Sequence, residues 1–181
     1  GTSTYGGIVG VKNALAAGSV YTAITGNTAF STLDLDDFEG MIAKMPSYGF
    51  KGMGPKWYIH RSGWAQSMLR LAAAAGGNTT REIAGGASQV QFLGYPVVFV
   101  EVMNNTLTTQ TSTSGLCYFA NLSMGAVFGS RRGVTMEQSN EVYFTSQQTA
   151  VLATERFDVN VHDKGTASAA GCIIGLTTPG S

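Results

Sequence analysis

The sequence predicts an α+β fold, a mixed sheet flanked by two main helices, and three observations predict it. Two amphipathic helix patterns lie in the first half, the second half runs as a series of strand-like segments, and helix and strand do not alternate as in a doubly wound fold. With 181 residues and 44% hydrophobic composition, the chain has enough apolar material for one core.

Taken in order, Gly6-Gly7-Ile8-Val9-Gly10 reads as a turn entering a strand. It lacks both the G-x-G-x-x-G spacing and the Lys-Ser/Thr ending of phosphate loops. The first helix is expected over 34–45, capped by Thr32 or Asp34, with Asp36, Asp37 and Glu39 suited to the positive end of its dipole. Leu35, Phe38, Met41, Ile42 and Met45 fall on one stripe, and Pro46 stops the helix. Trp57-Tyr58-Ile59 reads as a buried strand. A second helix starts at Ser62, with Trp64, Met68, Leu71, Ala72 and Ala75 on one face and Gly76-Gly77 as its stop. After Gly85-Gly86 come strand segments at 90–93, 96–102, 116–119, 126–128 and 142–161. Gly94 and Pro96 mark a sharp turn between two of them. The Thr/Ser/Asn-rich stretch 104–115 is the best loop candidate.

Charged residues make up only 12% of the chain, against a usual share of about 25%. Two readings fit: a surface largely covered by neighbouring subunits, or a neutral, Thr-rich secreted or surface domain. The net charge is zero and the densest basic spot is Arg131-Arg132, which argues against a dedicated nucleic-acid-binding module. Cys117 and Cys172 lack C-x-x-C spacing and sit in apolar surroundings, so two buried free thiols are expected. With two histidines, metal chemistry is poorly supplied, and Asp34, Asp36 and Asp37 lack the Gly and distal Glu of a calcium loop. Cys117, His162 and Asp158 form a nominal Cys/His/Asp set, but no nucleophile elbow accompanies them. No cofactor is implied. No apolar run reaches the roughly 18 residues of a membrane span and no signal-peptide pattern opens the chain, so synthesis in the cytoplasm and no membrane partner are expected.

Phe92-Leu93-Gly94-Tyr95-Pro96-Val97-Val98 resembles the L-x-G-x-P-V signature of HK97-type phage major capsid proteins. Other segments fall in that family's order. Gly6-Gly7-Ile8 resembles its P-x-G-I turn, Tyr118-Phe119-Ala120-Asn121-Leu122-Ser123 its G-D-F segment, and Thr154-Glu155-Arg156-Phe157-Asp158-Val159 its R-x-D strand; Arg131-Arg132-Gly133-Val134 lies between the last two. The resemblance covers nearly the whole chain and implies an HK97-like fold lacking the N-terminal arm, extended loop and spine helix. It assigns 1–165 to an axial-domain-like region with adjoining peripheral-domain segments, and 166–181 to a C-terminal strand returning to the peripheral domain. The G-D-F position departs from the pattern, carrying Ala120-Asn121-Leu122. Gln147 falls near the place of an isopeptide acceptor Asn, and the donor Lys belongs to the absent loop, so cross-linking is not implied.

By this resemblance the chain is a non-enzymatic subunit of a phage or prophage icosahedral capsid, made in the bacterial host cytoplasm and residing in the virion. Its expected partners are copies of itself, in pentamers and hexamers, and packaged double-stranded DNA bound without sequence specificity. Candidate interface residues are Asn104, Asn105, Thr108 and Thr109, whose neutral side chains suit rings of differing geometry, and Arg131, Arg132, Glu155 and Arg156. Arg156 is expected to pair with Glu155 of a neighbouring subunit or with Asp158 on its own face, holding register; a plain solvated hairpin loop at 104–115 and an ordinary surface ion pair at Arg156 are the blander alternatives. Two rival functions remain. One is an encapsulin-like shell around a protein cargo; the other is a small-ligand-binding or enzymatic α+β domain, which predicts a polar-lined pocket and a stable monomer.

Overall fold

A computed structural model describes residues 7–74 and 90–179. The expected helix stop at Gly76-Gly77, together with Gly6, Ala75 and Gly85-Gly86, lies outside the described residues.

The body is a six-stranded mixed sheet of order β1-β8-β5-β2-β4-β3, built from β1 (Val20–Thr22), β2 (Lys56–Ile59), β3 (Gln91–Phe92), β4 (Tyr95–Phe99), β5 (Gly115–Ala120) and β8 (Ile173–Thr177). β1/β8 and β2/β4 pair parallel, whereas β2/β5, β5/β8 and β3/β4 pair antiparallel. The expected mixed α+β class is what the backbone shows. The C-terminal β8 lies between β1 and β5, well inside this sheet.

Strand alternation decides where the core lies. In register, Trp57 faces Phe119 and Ile59 faces Cys117, with Ile174 and Leu176 beyond them on the same side. All six side chains are fully buried. Against this face packs α2 (Leu35–Lys44), whose Phe38 meets Trp57 and Phe92 edge-on at centroid distances of 5.6 and 5.1 Å. The Trp57 Nε1–H donates to the Phe92 carbonyl at 3.0 Å, so the largest core side chain is also satisfied in its polar part. Phe38, Met41 and Met45 are buried as the stripe predicts, but Leu35 is exposed.

Asp37 does more than compensate a dipole. Its carboxylate is fully buried, closes the capping box by accepting from the Asp34 N–H, and also accepts from Ile24 N–H at 2.8 Å and Asn27 Nδ2 at 2.7 Å. One side chain thus ties the helix start to the segment that follows β1.

The second expected helix is two: α3 (Arg61–Gln66) and α4 (Met68–Ala74), broken at Ser67. Its N-cap is His60, whose ring accepts from Ser62 N–H; the expected start at Ser62 is one residue inside the helix. Ser67 donates its hydroxyl back to the Gly63 carbonyl at 2.7 Å, a contact that bends helices. Gly63 itself packs against Phe30 with no room for a Cβ.

Two other expectations change. Gly7 does adopt a left-handed turn, with φ +87°, but it leads to the one-turn helix α1 (Val11–Ala14) and no strand forms there. The short strand expected at 126–128 and the long one at 142–161 become β6 (Ala126–Ser139) and β7 (Ala150–Val161), which pair only with each other as a two-stranded antiparallel ribbon. Polar, glycine-containing 129–139 carries no apolar run, which hid its strand character; pairing with β7 supplies it.

Candidate subunit interface

The ribbon is two-faced. Along β7, Val151, Ala153, Phe157, Val159 and Val161 fall on one side with Glu155 among them, and Leu152, Thr154, Arg156, Asp158 and Asn160 fall on the other. The register places Phe128, Ser130, Met136 and Gln138 of β6 on the first side. This side is open: Phe128 is 64% exposed, Met136 74% and Val151 68%. Phe128 and Phe157 stack on each other at 5.9 Å, and Phe157 remains half exposed. A lone two-stranded ribbon is marginal in water, and a contiguous apolar face of this kind marks a contact surface.

Two register shifts, between Ser130 and Arg132 and between Arg132 and Thr135, each insert one extra residue into β6. Arg131 lies in the first. Arg132 and Arg156 are paired in register, and Arg131 and Arg156 share a concavity of 390 Å³ with Gly129, Ser130, Phe157 and Asp158. The expected Arg156–Asp158 ion pair is not formed, and Asp158 instead accepts from the Val159 N–H at 2.8 Å. The only ion pair among the described residues joins His60 Nε2 and Glu101, 3.1 Å apart. Glu155 and Arg156, adjacent in sequence, point to opposite faces.

The 104–115 loop is organised where a freely adaptable one was expected. Gln110 is buried, donates from its amide to the Thr106 and Thr108 carbonyls, and accepts from the Asn104 side chain. Its backbone bonds to Thr28, and Thr178 donates to its carbonyl. Asn104 therefore faces inward, whereas Asn105, Thr108 and Thr109 are exposed. The sequence reading passed over Gln110; a single amide among hydroxyls, able to hold several carbonyls at once, was the available signal.

Where the ribbon joins the body, Asn121 is 1% exposed and donates from Nδ2 to the carbonyls of Gly49 and Lys51, both at 2.8 Å. A carboxylate has no proton to give in this geometry, so the Asn at the second, Asp, position of the G-D-F-like segment suits this packing. The Gly125 carbonyl accepts from His162 N–H at 3.0 Å, and Asp163 accepts from Cys172 N–H at 2.9 Å and from the Tyr48 hydroxyl at 3.3 Å. Burial raises the Asp163 carboxyl, but the hydrogen bonds from Cys172 and Tyr48 outweigh it and hold the group below its ordinary range. Burial first, then the Asp163 contact, pushes the Cys172 thiol up to about 12.

The nominal Cys117, His162 and Asp158 set is not brought together. Cys117 lies in the body core beside Met41, with its thiol pushed well up by burial, while Asp158 is on the ribbon and His162 is exposed at its root. Both cysteines are free and buried. Among the described residues, no group of three His, Cys, Asp or Glu could hold a metal, and no helix is long and apolar enough to cross a membrane. A cavity of 630 Å³ on the second face of the sheet is walled by Val11, Tyr58, Val100, Met103, Tyr118 and Leu122 and is predominantly apolar, unlike the polar-lined pocket of the enzymatic alternative.

A sheet-and-helix body carrying an unpartnered amphipathic ribbon defines a structural subunit. The comparisons with known proteins place it further: residues 1–168 match the Phage capsid family, and the chain belongs to that family. Its members are structural capsid proteins and not enzymes. The fold is shared with the solved "Capsid of empty GTA particle computed with C5 symmetry" (13% identity, TM-score 0.54, 88% of this chain and 48% of that one). It is shared too with chains of Mycobacterium phage Adephagia (16%, 0.53, 97% and 56%) and Mycobacterium phage Bobi (17%, 0.50, 91% and 52%). This chain spans about half the length of those it matches. No curated protein sequence matches it.

Proposed function

We propose that the chain is a structural subunit of a phage or prophage icosahedral capsid, assembling with copies of itself into pentamers and hexamers around double-stranded DNA. The six-stranded body acts as the axial-domain-like unit and the ribbon belongs to the peripheral domain; because β8 sits inside the body sheet, this reading assigns that strand to the body and not, as the resemblance implied, to a segment returning to the peripheral domain. The observation that carries this reading is the ribbon's apolar face, which an isolated subunit leaves in water and a shell would cover. Exposed Asn105, Thr108 and Thr109 offer neutral, hydrogen-bonding contacts on a loop whose shape Gln110 fixes. The subunit is made in the host cytoplasm and ends in the virion. Packaged DNA is enclosed without sequence recognition, in keeping with the chain's zero net charge and lack of a basic run.

The test is electron microscopy and nuclease treatment of purified particles containing this chain. Five- and six-fold capsomers enclosing nuclease-protected double-stranded DNA are expected. Closed particles holding a protein cargo and no DNA would move the chain to the encapsulin-like reading, and a compact monomer under every assembly condition would overturn both.

A further inference from the structure

We infer that the arginine bulge of the ribbon is a carboxylate-binding contact between copies of this chain, and that it receives Asp36 and Glu39 of a neighbouring copy. This inference rests on the shell-subunit reading and names one contact within it.

The ribbon gathers arginines that no carboxylate among the described residues neutralises. Arg131 sits in the bulge next to the point where the β6 backbone pairs with Arg156, so the guanidiniums of Arg131 and Arg156 come to one place on the ribbon, a juxtaposition that like charges disfavour. Neither Arg131 nor Arg156 has a carboxylate within ion-pair distance among the described residues. Both line one concavity together with Gly129, Ser130 and Phe157. Asp158, also at that concavity, is turned to its own backbone. An anion arriving from outside would relieve the repulsion, and guanidinium forks match carboxylates in shape.

The body holds the complementary charges. Most of its described acids are occupied: Asp34 and Asp37 by the capping box and Asn27, Glu101 by His60, and Asp163 by Cys172 and Tyr48. Asp36 and Glu39 are exposed on α2 and have no ion-pair partner among the described residues. Three residues apart on a helix, they lie side by side and present two carboxylates to two guanidiniums. Exposed Leu35 beside them offers an apolar contact for the half-exposed Phe157. One copy's ribbon meeting another copy's helix is a head-to-tail contact, the kind that closes into rings.

The ribbon's own acids serve less well. Glu155 lies on the opposite face, and Glu137 and Glu141 sit toward the tip. A nucleic-acid backbone is also disfavoured, because the ribbon between 126 and 161 carries Glu137, Glu141, Glu155 and Asp158 against three arginines.

Sedimentation velocity on the 181-residue chain at low salt tests this. The unaltered chain is expected to self-associate. Arg131→Glu with Arg156→Glu, or Asp36→Lys with Glu39→Lys, should each weaken association about tenfold or more, since several attractive pairs become repulsive. An equimolar mixture of the two variants should recover it, and so should a chain carrying all four changes, which also shows that the substitutions leave the fold intact. The inference is overturned if the unaltered chain stays monomeric at every concentration, or if the helix variant associates normally. It is equally overturned if the arginine variant loses affinity for a short DNA duplex while the helix variant keeps full self-association, because the site then takes phosphate. In these last two cases capsomers in the particle experiment would leave the shell reading standing while this contact falls.

Discussion

The body and the ribbon of this chain solve the burial problem in opposite ways. In the body, Trp57, Phe119, Ile59 and Leu176 disappear against α2 and the sheet, and the polar atoms that follow them inside are matched within the chain. In the ribbon, Phe128, Met136 and Val151 stay mostly exposed, and the one ring that Phe128 stacks on, Phe157, is itself half exposed. Stability is therefore concentrated in one region and association in the other, and the two should respond differently to the same kind of substitution.

The largest expected effect is in the body. Trp57→Ala removes the biggest buried side chain and should cost about 3–5 kcal/mol in denaturant unfolding. Phe128→Ser with Phe157→Ser should cost under about 1 kcal/mol in the isolated chain, because little burial is lost, yet should abolish assembly. Equal losses at the two places would show that body and ribbon unfold as one unit and would break the contrast.

Next in size is the joint between them. Asn121→Asp removes both donors to the Gly49 and Lys51 carbonyls and puts a carboxylate against two acceptors, at a cost of about 2–3 kcal/mol. If ribbon amides exchange with solvent faster in this variant while body amides do not, the joint holds the ribbon and leaves the core unaffected.

A smaller effect should appear with pH. The folded-state carboxyl of Asp163 is depressed, so its contribution is present above the ordinary carboxylate pKa near 4 and is lost as pH falls through the lower folded value. Unfolding titrations of Asp163→Asn should show a shallower fall of stability across that acidic window than the parent, and identical slopes would remove Asp163 from the joint. Smallest of all, Gly94→Ala should cost about 1 kcal/mol, because Leu93 and Gly94 form the β3–β4 turn with φ of +49° and +81°.

The body was more legible than the ribbon for a physical reason. Burial leaves a period in the sequence, and Phe38, Met41 and Met45 or Trp57 and Ile59 display it. β7 displays it too, in the alternation from Val151 to Val161. Its partner β6 does not, since extra residues at two bulges break the period and arginine, glycine and glutamate occupy the rest. The family resemblance was readable in Leu93-Gly94-Tyr95-Pro96-Val97 because a tight turn demands particular residues. The organising roles of Asp37, Gln110, Asn121 and Asp163 were not readable, for each depends on backbone carbonyls or amides brought from distant segments. Of the expected interface residues, Arg131 and Arg156 line one concavity, while Asn104 turns inward.

The two strands of the ribbon are not equally long. Paired from Ala126 with Val161 to Ser139 with Ala150, they span 14 residues on one side and 12 on the other. At about 3.3 Å per residue the excess contour is about 7 Å. Like a strip bonded from two unequal lengths, such a ribbon stays flat only if the surplus is thrown out as local kinks, and what remains must appear as bend and coil. Its curvature is thus written as a residue count, a quantity that salt and pH leave untouched, and deleting one residue at each of the two bulges of β6 would even the strands without altering one side chain of its apolar face.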